Sequence, residues 1–203
     1  MRVSLSRSED ALAKELLRLN QILLDMPKTA ASRYALTEIV LIRATAVFES
    51  VIADLAYKIA CGARLDSGVV DLILVPKSSL VAARNSMLTQ GGVLVHPRSN
   101  LSWTRAKHIA ESVKGVLDIN GHFLSICRRH GPIIAEMFDV RNHAAHRNQS
   151  SRRKYMMHVH ALYGHERKIE VGRFLSSTNL LTTPKVSQYF ASMRAIVREI
   201  IAG

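Results

Sequence analysis

Apolar residues recur every three to four positions along most of this chain, the period of an α-helix with one buried face. Leu12, Leu16, Leu19 and Leu23 predict a first helix over about 8–26, with Ser8 as its cap and Glu9 and Asp10 in its first turn, where negative charge suits the helix dipole. "MPKTAASRY" reads as a joint. A long second helix follows from Ala31 to Ala60 and stops near Gly62. Its apolar set of Ile39, Ile42, Ala46, Ile52, Leu55 and Ile59 is wide enough to face more than one neighbour. At the other end, Val186, Tyr189, Phe190, Met193, Ile196, Val197 and Ile200 form one face of a closing helix, with Thr183 as cap and Pro184 in first position.

The pattern is less regular in between. Val69 to Val75 fits a short strand or a buried helical turn, which Pro76 ends in either case. The glycines and proline of "TQGGVLVHPRSN" mark a loop. "SNLSWTRAKHIAESVKGVL" is helical, with Asn100 or Ser102 as cap. "GHFLSICRRHGP" is a short element closed by Gly131 and Pro132. "IIAEMFDVRNHAAHRN" is apolar first and polar after. Between Ser150 and Asn179 the alternation in "YMMHVHALYG" and "RKIEVGRFL" allows a small β-hairpin near 155–175, or equally a helix followed by irregular chain. The expected fold is all-α, one domain over 1–203, its core over 31–203 and the first helix packed on it.

Composition agrees with helices. Aromatic residues make up only 5% of the 203, and the net charge is +12. That excess points to a polyanionic partner, nucleic acid before membrane, with a merely solubilising surface as the alternative. Cys61 and Cys127 form no CxxC, so neither a zinc nor a disulfide framework is expected, and a reducing cytoplasm fits. The basic start is not followed by a continuous apolar stretch, so no secretory leader is expected. "ALTEIVLIRATAVFESVIADLA", the most apolar long segment, is broken by Glu38, Arg43, Glu49 and Asp54 and reads as a core helix, not a membrane span.

The densest chemistry lies in "FDVRNHAAHRN", Phe138 to Asn148. On a regular helix Arg141 and His146 stand about 140° apart, whereas Asn142 and His146, four apart, share a face. Either Arg141 reaches round or the helix begins or bends here; both arrangements suit a cleft shared with a second chain.

"VRNHAAH" resembles the R-x4-6-H signature of the HEPN superfamily, often written with Asn after the Arg. The long helix "IVLIRATAVFESVIADL" and "SNLSW" ahead of a helix resemble prokaryotic members from stress and defence systems. The resemblance covers about Ala31 to Asn148 and the closing helix. It implies a four-helix bundle with additional helices that dimerises, and a metal-independent endoribonuclease without cofactor. Arg141 and His146 of both protomers would then meet at the interface, with Asn142 as the accompanying polar residue. It further implies RNA as substrate, a cytoplasmic toxin or phage-defence effector, and an antitoxin or defence-system partner. Toxins controlled by nucleotidyltransferase antitoxins commonly carry a Tyr two residues after the His; here Asn148 stands there, which sets that control apart.

The chemistry stands on the residues themselves. RNA carries a 2′-hydroxyl beside each phosphate, so removal of its proton lets it attack the phosphorus. A histidine can move that proton near neutrality. An arginine's planar fork of donors stabilises the added negative charge. Between Arg128 and Lys168 stand nine basic residues against three acidic ones. Arg147, Asn148, Arg152, Arg153, Lys154 and His143 are the candidate RNA contacts, with Tyr155 available for stacking; the alternative is a solvated loop. His158 and His160 lack a carboxylate or cysteine at ligand spacing, so no metal site is expected. Glu49, amid small and apolar helix neighbours, needs a partner: Arg43 or a neighbouring helix, or else Arg141 or His146, which it would then orient. Two other functions compete with cleavage: an RNA- or nucleotide-binding module without catalysis, and a helical scaffold that docks a partner protein.

Overall fold

In a computed structural model, residues 4–25, 29–164, 168–178 and 181–203 are described. They form nine α-helices and no strand: α1 (Ser6–Leu24), α2 (Ala30–Ala60), α3 (Leu80–Leu88), α4 (Ala106–Val113), α5 (His122–Arg129), α6 (Gly131–His146), α7 (Gln149–Tyr163), α8 (Val171–Ser176) and α9 (Lys185–Ala202). The fold is all-α. α1, α2, α6 and α9 pack in a ring, each against the next. α7 lies along α6, and α8 is wedged between α2 and α9.

α2 is the axis of the core. Leu41, Phe48, Ile52, Leu55 and Ile59 are fully buried, as are the α9 residues Tyr189, Met193, Ile196 and Val197. Each such side chain contributes about 1.5–3 kcal/mol by leaving water. The wide apolar face of α2 is only partly covered: Ile39 is exposed, and Ile42 and Ala46 are half-buried. All seven residues expected on the closing helix are buried.

Several local expectations are corrected. Ser8 is no cap; it is buried inside α1, where its hydroxyl donates to Asp54 and accepts from Lys58 of α2. Neither Asn100 nor Ser102 caps α4, whose first turn follows Arg105. Ser102 instead exchanges hydrogen bonds with the Ser112 hydroxyl. Pro184, not Thr183, flanks α9. The Val69 to Val75 stretch is neither strand nor helical turn. It is irregular chain with two isolated bridges, Arg64 to Val70 and Ile73 to Leu117, and it exposes Val69, Leu72 and Leu74. The hairpin near 155–175 is replaced by the second half of α7 and by α8, because the alternation in "YMMHVHALYG" is a helical face bearing Tyr155 and Val159. Residues 26–28 of the expected joint, and 165–167 with Glu166 and Arg167, lie outside the described residues.

Candidate functional site

The motif occupies the last two turns of α6, a continuous helix with no bend at Arg141. It ends because Arg147 adopts the left-handed conformation (φ 47°) and its N–H donates to the His143 carbonyl at 3.0 Å. Asn148 then caps α7: its Oδ1 accepts from the Ser151 N–H at 2.8 Å, and its carbonyl accepts the Ser151 hydroxyl. A two-residue corner therefore joins the helices. It sends the side chains of the motif into two separate clefts.

The first cleft, about 210 Å³, contains Asn142, His146, Asn148 and Lys154, with Asp139 and Ser151 among its other walls. Asp139, Asn142 and His146 stand at positions i, i+3 and i+7 and share one face of α6. Asp139 is buried. It is ion-paired with Arg105, which precedes α4, and its Oδ2 lies 3.3 Å from Nε2 of His158. Arg141 does not lie in this cleft, yet it reaches toward it: its Nη1 donates to Oδ1 of Asn142 at 2.9 Å. Its Nε is buried and has no hydrogen-bond partner among the described residues. No hydrogen bond joins Arg141 to His146 among the described residues; Arg141 bonds to Asn142 instead. His146 is exposed, and Lys154 has no ion-pair partner among the described residues.

The second cleft, about 460 Å³, lies between α2, α7 and α8 and is lined by Tyr34, Glu38, His143, Arg147, Arg152 and Lys168 among others. Arg147 Nη2 donates to Oε2 of the buried Glu38 at 2.8 Å, while Glu38 Oε1 accepts the Gly172 N–H at 3.0 Å. His143 stacks on the buried Tyr155 ring with 5.0 Å between centroids, and its Nδ1 lies 3.3 Å from the Ser151 hydroxyl. Burial lowers the His143 pKa, and the charges of Arg147 and Arg152 lower it further against the opposing pull of Glu38.

The candidate RNA contacts are therefore divided. Asn148 and Lys154 line the first cleft, whereas His143, Arg147 and Arg152 line the second. Arg153, exposed on α7, lines neither. Tyr155 is buried with its hydroxyl on the Ile169 carbonyl, so it is not free to stack on a base. Glu49 is half-buried and makes no hydrogen bond or ion pair with Arg141 or His146 among the described residues, and Arg43 turns to Glu15 at 2.9 Å instead. The carboxylates that do hold the site are Asp139 and Glu38. Asp139 stands three before Asn142 on its face and Glu38 is the one acid in the first half of α2, but neither position announces the partners it has in the fold.

Among the described residues no group of three or more His, Cys, Asp or Glu gathers as a metal-ligand set, and no helix is long and apolar enough to cross a membrane. The geometry offers a histidine, an amide and a lysine around one small opening, with an arginine bound to the amide. Comparison with known proteins gives no relative to set beside it: no family model, no curated protein and no solved structure matches this chain.

Proposed function

We propose that the chain is a HEPN-like endoribonuclease of a bacterial toxin or phage-defence system, acting as a homodimer on RNA in the cytoplasm. One observation carries the reading: Arg141 is hydrogen-bonded to Asn142, whose face of α6 also bears His146 at an open cleft beside Lys154. In the proposed reaction neutral His146 accepts the proton of a 2′-hydroxyl. The 2′-oxygen then bonds to the adjacent phosphorus, and the bond from phosphorus to the 5′-oxygen breaks. An imidazolium, or water, returns a proton to that leaving oxygen. The products are a 2′,3′-cyclic phosphate and a 5′-hydroxyl. Arg141 and Lys154 balance the charge that builds on the phosphoryl oxygens. The cation and the base are 140° apart on one helix by about 100° per residue, which favours a pair drawn from two chains over one drawn from a single chain.

The test is purified protein on mixed RNA in the presence of EDTA, wild type beside His146→Ala. Cleavage that survives chelation, yields cyclic-phosphate ends, spares DNA and falls at least about a hundredfold in the variant is the expected result. Strict dependence on added metal, or equal cutting of DNA, would overturn the mechanism.

A further inference from the structure

The exposed apolar surface of this chain is concentrated in one region. Of the fourteen large apolar side chains exposed among the described residues, ten fall between Val69 and Val95 or at Ile119. The irregular stretch 69–75 is nevertheless fixed in place. Buried Asp71 accepts the His122 and Phe123 N–H groups at 2.7 and 2.8 Å, which ties the stretch to the start of α5. The Leu72 carbonyl accepts the Asp118 N–H at 3.0 Å, and the Leu74 N–H donates to the Val116 carbonyl at 2.9 Å. The Lys77 N–H closes the far end on the Ala60 carbonyl at 2.9 Å. Asp71 is thus buried and Ile73 half-buried, while Val70, Leu72 and Leu74 face solvent. The bond from Asp118 also brings exposed Ile119 close to Leu72. Gly91 and Gly115, both at positive φ, pack backbone on backbone with no room for a Cβ on either, so the loop that bears Val93 and Val95 starts beside residue 116. Apolar side chains held outward on an anchored backbone are the mark of a contact surface.

We propose that this face binds a second copy of the chain. Charge decides among the possible occupants. From Ser67 to Pro97 only Asp71, Lys77 and Arg84 are charged, three of 31 residues against 22% over the whole chain. Two chains of net charge +12 repel each other, and they meet at least cost where charge is sparse, as it is at the centre of protein interfaces. An acidic protein or an anionic membrane would be recognised by clustered cations, and those stand elsewhere, between Arg128 and Lys168. A membrane surface also favours aromatic anchors, and none of the fourteen exposed side chains is aromatic. The stretch is, besides, close to a palindrome about Leu72. Crossing antiparallel at a twofold axis there, two copies set Val69 against Val75 and Val70 against Leu74, and carry Asp66 of one toward Lys77 of the other. A parallel crossing would oppose Asp66 to Asp66 and Lys77 to Lys77. This contact is distinct from the one that the proposed reaction requires, because no residue of the face lines either cleft.

The experiment measures the mass of the full-length protein by light scattering from about 1 to about 100 μM, wild type beside Leu72→Asp with Leu74→Asp. Both side chains are more than half exposed, at 55% and 53%, so the fold tolerates the change, and circular dichroism checks that it does. The expected mass of the wild type is twice that of the double variant. The ratio is the same whether four chains fall to two or two fall to one, so it depends neither on a contact at the motif nor on RNA cleavage. Cysteine pairs test the axis directly. In a Cys61→Ser background Leu72→Cys should oxidise to a disulfide-linked pair, whereas Leu17→Cys, as exposed on α1, should not. Equal masses for wild type and double variant overturn the proposal, and so does cross-linking of Leu17→Cys as fast as Leu72→Cys. A wild type that stays monomeric at the highest concentration overturns it as well. Sedimentation of that monomer with vesicles of phosphatidylglycerol and phosphatidylcholine would then make the face a membrane surface.

Discussion

The two histidines of "RNHAAH" sit in different surroundings although only three residues apart. His146 is open to solvent, and His143 is half-buried on an aromatic ring between two arginines. In the unfolded chain the His143 ring titrates near 6.5, and in the fold it titrates lower, first because burial disfavours its charge and then because of Arg147 and Arg152. As pH falls, the unfolded state takes up this proton before the folded state does. The stability that His143 contributes is therefore complete above 6.5 and is lost as pH drops through the window beneath it. We expect the urea midpoint of the wild type to fall on acidification from about pH 7.5 to about pH 5.5 more steeply than that of His143→Gln. Equal slopes would mean that the ring keeps an unperturbed affinity for its proton.

At the scale of elements, the α6–α7 corner decides which side chains meet. Asn148 had been read from the sequence as an RNA contact, and it does line the first cleft, but it also caps α7 through the Ser151 N–H. Asn148→Ala should cost about 1 kcal/mol of stability, and Asn148→Asp or Asn148→Ser should restore most of it, as measured by thermal or urea unfolding. An Ala variant as stable as wild type would show that the cap contributes nothing. This corner also marks how far the sequence was legible. Long periodic segments declared themselves: α1 and α9 were found with their buried faces, because a long face leaves a repeated signature, whereas α2 was found as a helix but only Ile52, Leu55 and Ile59 of its expected face are buried. The sequence left open a helix that begins or bends at Arg141, and α6 runs through that residue without a break. What was not legible came from distant chain. Asp139 gains its role from Arg105 and His158, and Glu38 from Arg147 and Gly172, and no spacing along the chain announces a partner 34 or 109 residues away. Short stretches such as 69–75 and 155–163 misled because period-two and period-3.6 patterns overlap over so few positions.

For the whole molecule, the proposed reading has two chains complete each site. Arg141 bonds to Asn142 and shares no hydrogen bond with His146 among the described residues, and the broad face of α2 leaves Ile39 exposed. On the proposed reading, Arg141→Ala and His146→Ala should each be inactive yet folded, since neither side chain belongs to the apolar core. Mixed and allowed to exchange subunits, the two variants should recover part of the RNA-cleaving activity, because one chain then brings an intact histidine and the other an intact arginine. Exchange demonstrated by mass spectrometry without any recovery would place both groups in one chain, or require both copies of each.

The corner at Arg147 and Asn148 has one more consequence, for how this chain can change. His146 and Arg147 are consecutive but open into different clefts, and so are Ser151 and Arg152. A single insertion or deletion anywhere between them would rotate α7 by about 100° and misdirect both sets of side chains in one step. In a saturation library the segment 146–152 should accept substitutions one at a time according to which opening each residue faces, yet accept no change of length. The two openings can diverge in chemistry, but their relative bearing is inherited as a unit.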